Sequence, residues 1–426
     1  MATIDRTLQP ALNPVDNFIL TKANKIMLDN GMPMYVIDAG THEVCKIELL
    51  INAGMDKPTN PILAQVACEL ADDGTSTKTA YDIAETVEFY GASLETNIEF
   101  HNASFCLTTL TRHLPNLLPL MSEIIYDATY PQTELDSYLQ RSLQSLKVQQ
   151  QKVEYLARKT FSKKMFSGFP YQHSNDEQDF LSLTQKGLTD FHTQNYVGAN
   201  YSLIACGKIN DDVVKQLNSI FGVQKINAAK NEDKKYTYDN ALENVFIEKE
   251  NAVQSAIRIG KRAITRHHPD FPALSILVTV LGGYFGSRLM SNIREDKGYT
   301  YGIGAGLVAY PKAGSITIST EVGSDVCDAA IKEIYFEIIR LCTEPIPDEE
   351  LNVVRNYLSG VFLRSWDGPF ALAERFKVLR TNNLDYTYYE HYLNVLANIT
   401  SKDLLEMAQK YLNDAEWLQV VCGSRK

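Results

Sequence analysis

The chain has 426 residues, 45% of them hydrophobic and 22% charged, which is too much sequence for one hydrophobic core and predicts two or more domains. A formal net charge of -11, with no basic run beyond a few residues, argues against nucleic acid and against an anionic membrane surface as the main partner. Seven scattered cysteines (Cys45, Cys68, Cys106, Cys206, Cys327, Cys342, Cys422) form no C-x-x-C pair, the N-terminus lacks a signal-peptide pattern, and no apolar run reaches the roughly 18 residues that span a bilayer, so a reducing, cytoplasmic location is expected.

In chain order, an apolar strand is expected over residues 46–53, leading to a helix over 62–72 that Gly74 closes. Alternating apolar positions through 93–109 predict strands with one buried face. Long helices follow over 114–126 and 133–150, the second opened by Pro131-Gln132-Thr133-Glu134, a helix-start signal. A further helix and a strand ending in Cys206-Gly207 close this segment. Residues 224–240 are polar, charged and nearly free of aliphatic side chains, which is linker composition. The pattern then restarts with a strand over 256–262, a helix over 272–294 closed by Gly298, and alternating strands over 301–320. Helices over 325–341 and 348–364 follow, the latter opened by Pro347-Asp348-Glu349-Glu350, and a last strand ends in Cys422-Gly423.

The restart is a duplication. Pro131 and Pro347 lie 216 residues apart, as do Leu183-Thr184 and Ile399-Thr400, Leu188 and Leu404, and Cys206-Gly207 and Cys422-Gly423. The expected fold is α+β: two homologous halves, each a mostly antiparallel sheet packed with helices, facing across a cleft. The expected division is an N-terminal domain of residues 1–223, a linker of 224–240 and a C-terminal domain of 241–426.

Within this order of elements, the stretch Leu281-Gly282-Gly283-Tyr284-Phe285-Gly286-Ser287-Arg288-Leu289, followed by Arg294-Glu295-Asp296-Lys297-Gly298-Tyr299-Thr300-Tyr301, resembles the pitrilysin/insulinase family of metallopeptidases with an inverted zinc motif. The resemblance is to the branch of the mitochondrial processing peptidase and its short bacterial relatives, and it runs from about Lys25 to the C-terminus. In that family the first-half helix carries H-x-x-E-H, whose histidines bind zinc and whose glutamate activates water. Aligned on Gly74-Thr75, the motif falls on Gln65-Val66-Ala67-Cys68-Glu69. Gln65 and Glu69 then stand at the imidazole positions and Cys68 at the general base, while the family's third ligand, a glutamate, falls on Ser145 when Phe166-Ser167-Gly168 sets the register. None of the eight histidines forms H-x-x-x-H or H-x-x-E-H, and Cys68 and Glu69, as helix neighbours, point about 100° apart. No zinc or other cofactor is expected in this chain. Read by itself, Cys68 is a small buried apolar residue.

In the family's second half an arginine and a tyrosine seven residues apart reach the bound peptide, and Arg294 and Tyr301 keep that spacing. A guanidinium and a phenol are donors suited to a peptide carbonyl and to the oxyanion formed when water attacks it. Read alone, Arg294 is also a favourable cation for a last helical turn, and Tyr301 an ordinary strand residue. The strand of residues 91–98, where the family adds substrate by β-augmentation, has Glu95-Thr96 in place of the usual Asn-Ala and is expected to be a plain edge strand.

The resemblance implies a zinc-less subunit of a heterodimeric metallopeptidase, inactive alone, with peptide as substrate and a homologous zinc-bearing subunit as partner; a homodimer is possible in isolation. The alternative is a non-proteolytic peptide-binding or scaffold protein in which Arg294 and Tyr301 are leftovers. An independently active peptidase would require a metal site that these residues do not show.

Overall fold

The structure, a computed structural model, describes residues 7, 20–173, 175–226, 235–413 and 416–424. The linker's residues 227–234 and most of the first nineteen residues, including the N-terminal stretch read above, lie outside the described residues. The first half runs β1 (Asn24–Met27), β2 (Pro33–Asp38), β3 (Val44–Ile51), α1 (Pro61–Glu69), α2 (Ala80–Phe89), β4 (Ser93–Ile98), β5 (Ala103–Leu110), α3 (Leu114–Asp127), α4 (Gln132–Gln149), α5 (Val153–Met165), α6 (Glu177–Leu181), α7 (Gln185–Asn195), β6 (Tyr201–Gly207) and α8 (Asp211–Phe221). The second runs β7 (Val245–Glu248), β8 (Gln254–Ala263), α9 (Phe271–Val278), β9 (Ile303–Ala309), β10 (Gly314–Gly323), α10 (Cys327–Thr343), α11 (Asp348–Arg364), α12 (Pro369–Thr381), α13 (Thr387–Asn398), α14 (Ser401–Tyr411) and β11 (Leu418–Gly423).

The duplication is visible strand for strand. The first sheet has the order β1-β2-β6-β3-β5-β4 and the second β7-β11-β8-β10-β9, so that without β1 the two orders coincide. In each, one pair is parallel (β2 with β6, β7 with β11) and the remaining pairs are antiparallel. The α+β reading with two homologous halves therefore holds. Local chemistry repeats at the same offset: Thr184 caps α7 by accepting from the Gly187 amide, and Thr400 caps α14 by accepting from the Asp403 amide. Pro131 and Pro347 sit immediately before α4 and α11, where a missing N–H costs nothing.

The halves exchange a helix. α5 and α12 occupy the same place in the repeat, residues 153–165 and 369–381, and each packs on the other half's sheet. Phe161 and Met165 of α5, with Phe166 and Phe169 beyond it, join Ala256, Leu418, Val420 and Cys422 of the second sheet. Leu372, Phe376 and Leu379 of α12 join Tyr35, Ile37, Ile204 and Cys206 of the first. An ion pair ties each borrowed helix to the strand at the sheet's centre: Lys377 Nζ to the buried Glu48 at 2.6 Å, and Arg258 Nη2 to Glu154 at 2.7 Å. Such a pair is costly to break from one side, because it strands the remaining charge.

One element differs from expectation. The helix expected over 272–294 is broken: α9 ends at Val278, irregular turns run from Thr279 to Gly283, Tyr284 is extended, and helical turns resume at Met290–Asp296. Gly282 explains the break. A Cβ there would lie 2.4 Å from the backbone nitrogen of Ala305, so this segment approaches β9 more closely than any side chain permits. Gly298, at φ +67, still ends the segment as expected.

Candidate functional site

α1 is started by Asn60, whose side chain accepts from the Ile62 amide, and by Pro61 at its first turn. Its inner face, Ile62, Ala64, Val66, Ala67 and Cys68, is buried in the first core. That fixes what the degenerate positions can do. Cys68 is fully buried, its Sγ lies 3.4 Å from the carbonyl oxygen of Asn97 on β4, and burial pushes its thiol up to about 12. It stays protonated near neutrality and is neither a base nor a thiolate ligand.

The two former ligand positions on α1 are bonded to each other. Gln65 Nε2 donates to Glu69 Oε1 at 3.0 Å, and the Tyr138 hydroxyl donates to Glu69 Oε2 at 2.6 Å. Both carboxylate oxygens are thus occupied. Gln65 and Ser145 line one cavity of about 370 Å³, with Tyr138, Ser142 and Gln149 of α4, Tyr155, Arg158, Lys159 and Ser162 of α5, and His173. Structure therefore brings Gln65, Glu69 and Ser145 to one place and turns Cys68 toward β4. With Cys68 turned away, the groups there are a carboxylate bonded on both oxygens, an amide, hydroxyls and one imidazole, His173, which falls short of the three strong nitrogen, sulfur or oxygen ligands that zinc takes. Among the described residues, no group of three or more His, Cys, Asp or Glu is gathered as a metal cage. What remains is a polar, hydrogen-bonding hollow.

Tyr138, Arg158, Lys159 and His173 were missed from sequence. Tyr138 had a signal: with Ser142, Ser145 and Gln149 it repeats at helical spacing on one face of α4. Arg158 and Lys159 had none, because α5 reaches this cavity through the helix exchange. Burial, more than its acidic neighbours, governs His173 and holds its imidazole below the usual range, so it is neutral at pH 7.

The second-half pair stands differently. Tyr301 is 96% exposed, just before β9, a strand that pairs with β10 alone and so forms the sheet edge. It borders a cavity of about 400 Å³ lined also by Glu154 of α5, Gln254 and Arg258 of β8, Thr300 and Glu321. Arg294 lies in the turns before Gly298 with its guanidinium 4.5 Å over the ring of Phe285, itself exposed. No hydrogen bond joins Arg294 to Tyr301, and the Tyr301 cavity does not include Arg294. The start of α5 serves both regions: Glu154 Oε1 holds Arg258 beside Tyr301 and, at 3.3 Å, Arg158 of the Gln65–Ser145 cavity. β4, the strand read as a plain edge, is the edge of the first sheet.

Comparison with known proteins gives a consistent family. The family model described as Insulinase (Peptidase family M16) matches residues 34–175, and that described as Peptidase M16 inactive domain matches residues 182–358. A protein of Rickettsia felis described as an uncharacterized zinc protease is 21% identical over 405 residues, covering 93% of this chain and 95% of its own length. A Helicobacter pylori protein described as a non-peptidase homolog is 24% identical over 311 residues, covering 70% of this chain and 69% of its own. Among solved structures, a peptidase M16 inactive domain from Pseudomonas fluorescens superposes with a TM-score of 0.87 at 20% identity, covering 95% of this chain and 98% of that one. A protease from Helicobacter pylori gives 0.87 at 18% identity, covering 95% and 100%.

Proposed function

From the premise that the chain belongs to the insulinase (M16) peptidase family, we propose that it is the zinc-less subunit of a heterodimeric zinc metallopeptidase. A homologous partner carries H-x-x-E-H, and its zinc supplies the activated water. This chain contributes peptide binding and transition-state stabilisation through Arg294 and Tyr301. The observation that carries the reading is the contrast in engagement. Glu69 is bonded on both oxygens, whereas Tyr301 is almost fully exposed and Arg294 rests on an exposed ring, its N–H groups meeting no acceptor among the described residues. A guanidinium and a phenol without partners among the described residues, beside a sheet edge, are donors for a carbonyl or its oxyanion. By itself the chain is not a peptidase.

A second reading is a non-proteolytic peptide-binding or scaffold protein. The hydrogen-bonding lining of the Gln65–Ser145 cavity, with Arg158 and Lys159 as its charges, favours it, as does the non-peptidase description of the Helicobacter pylori relative. The seven cysteines, all buried and unpaired, suit a reducing compartment and a cytoplasmic place of action; no helix among the described residues is long and apolar enough to cross a membrane.

The test is reconstitution. The purified chain should contain no stoichiometric zinc and cleave no peptide, while mixing it with a homologue that bears H-x-x-E-H should give peptidase activity that a chelator abolishes. Stoichiometric zinc in the lone chain, or a partner equally active without it, would remove the proposal.

A further inference from the structure

A third cavity, of about 820 Å³, opens between the turns of residues 286–297 and α10, with Glu350 of α11 at its side; Arg294 and Tyr301 are not in its lining. Two charged side chains of that lining, Arg288 and Glu337, are more than nine-tenths buried. Each is only partly satisfied. Arg288 donates from Nε and Nη2 to the two oxygens of Glu350, at 2.9 and 3.0 Å, and its Nη1 is buried without an acceptor. Glu337 accepts from Asn292 Nδ2 on Oε1 at 2.8 Å, and its buried Oε2 meets no hydrogen-bond donor. Arg340 Nη1 stands 3.7 Å from that oxygen, on a guanidinium already bonded to Glu344 at 3.0 Å. Asn292 follows Arg288 by four residues, so the idle donor and the idle acceptor lie about one turn apart along the cavity.

A buried polar atom left unmet is costly, the more so on a charged group. Here two such atoms of opposite sign line one cavity, whose volume is that of a small-molecule site. The rim repeats the pattern. Lys332 of α10 and Asp296 are exposed there, with no hydrogen bond or ion pair among the described residues, while Lys297 is paired with Glu333 at 3.6 Å. Phe336, 54% exposed, adds an apolar wall. A bare anion would meet the carboxylates and a bare cation the guanidinium and ammonium groups; a molecule carrying both signs satisfies both. We propose that this cavity binds a small zwitterion, of which a free α-amino acid is the simplest. Its carboxylate takes the Arg288 Nη1 donor and Lys332, its ammonium the Glu337 Oε2 acceptor and Asp296, and an apolar side chain lies on Phe336. The proposal is independent of any peptidase role.

The test uses the full chain and L-leucine, titrated by calorimetry beside two analogues: N-acetyl-leucine, which lacks the ammonium, and leucine amide, which lacks the carboxylate. Leucine should bind saturably at one site and raise the unfolding temperature as a native-state ligand does. Each analogue should bind at least about tenfold more weakly, one charge-assisted contact being worth that much. Glu337→Gln keeps an acceptor for Asn292 and should weaken leucine about tenfold while leaving N-acetyl-leucine unchanged. Lys332→Gln should weaken leucine several-fold and leave leucine amide unchanged. Lys402→Gln, an exposed change on α14 outside the cavity, should alter neither. If Glu337→Gln does not fold, the analogues and Lys332→Gln decide. Absence of leucine binding, an analogue that binds as tightly as leucine, cavity variants that bind as tightly as the parent, or an equal loss in Lys402→Gln would overturn the proposal.

Discussion

In the first half the polar groups at the degenerate motif have found partners within the chain: Gln65 and Tyr138 hold Glu69, and Cys68 is buried against Asn97. In the second half, at a sheet edge of the same topology, Tyr301 projects into solvent and Arg294 covers an exposed ring. Two copies of one architecture have diverged in whether their polar groups are satisfied. A satisfied group adds to the fold and has little left for a ligand; an unsatisfied exposed one adds little to the fold and is available. The first site's groups are spent within the fold, and on the proposed function those of the second are left for recognition.

The largest expected effect concerns whether the halves are separable at all. Divided between residues 223 and 241, each piece loses the helix that covers its sheet. Removal of α5 alone withdraws Phe161 and Met165 from the second sheet, at roughly 1.5–3 kcal/mol for each large apolar side chain. Phe166 and Phe169 go with them. Such a loss is comparable to the whole net stability of a domain, about 5–15 kcal/mol. Separately expressed pieces should lack a cooperative unfolding transition by circular dichroism, and co-expression should restore it. A fragment of residues 241–426 that unfolds cooperatively by itself would show that the exchange is dispensable.

This exchange also marks where the sequence stops being legible. The duplication, the α+β class and α11 at residues 348–364 could be read because they rest on local signals: turn prolines, cap residues and helical period. Nothing local says which sheet an amphipathic helix will cover, so α5 and α12 could be located as a repeat but not placed. The apolar run into Leu281 reads as continuous helix by periodicity. Its break is set by the approach of Gly282 to Ala305, a tertiary contact. Similarly, Gln65, Cys68, Glu69 and Ser145 could be aligned with a motif, whereas the bonding of Glu69 to Gln65 and Tyr138, of Cys68 to Asn97 and of Ser145 to Gln149 became visible only in three dimensions.

The next effect is on activity. In the reconstituted mixture, Arg294→Ala with Tyr301→Ala should lower kcat/KM by about 10²–10³-fold, the usual loss for removal of an oxyanion donor. The chain's unfolding midpoint in urea should not move, since Tyr301 is exposed and Arg294 contacts an exposed ring. Gln65→Ala with Ser145→Ala should do the reverse, shifting the midpoint while changing kcat/KM no more than a few-fold. Equal activity losses in both double variants would erase the distinction between the two sites.

The smallest effect tests the first half's electrostatics. Asp72 follows α1 by three residues, and burial, reinforced by the adjacent Asp73, raises its carboxyl pKa to about 6. In the second half the carboxyls that shift, Asp270, Glu374, Asp385 and Asp403, are all lowered. A raised carboxyl means that the folded state holds its proton to higher pH than the unfolded state, whose Asp ionises near 3.9. Stability is therefore lost as pH rises from about 4 through about 6, and the cost persists above that window. Asp72→Asn removes the ionisation. Near pH 8 it should stabilise the chain by on the order of 3 kcal/mol, the cost of a carboxyl pKa held about two pH units above its unfolded value, and below about pH 3, where the carboxyl is protonated in both states, by nothing. Urea unfolding at the two pH values measures the difference, and an Asp72→Asn gain that does not depend on pH would mean that packing around the turn, and not charge, separates this corner from its counterpart.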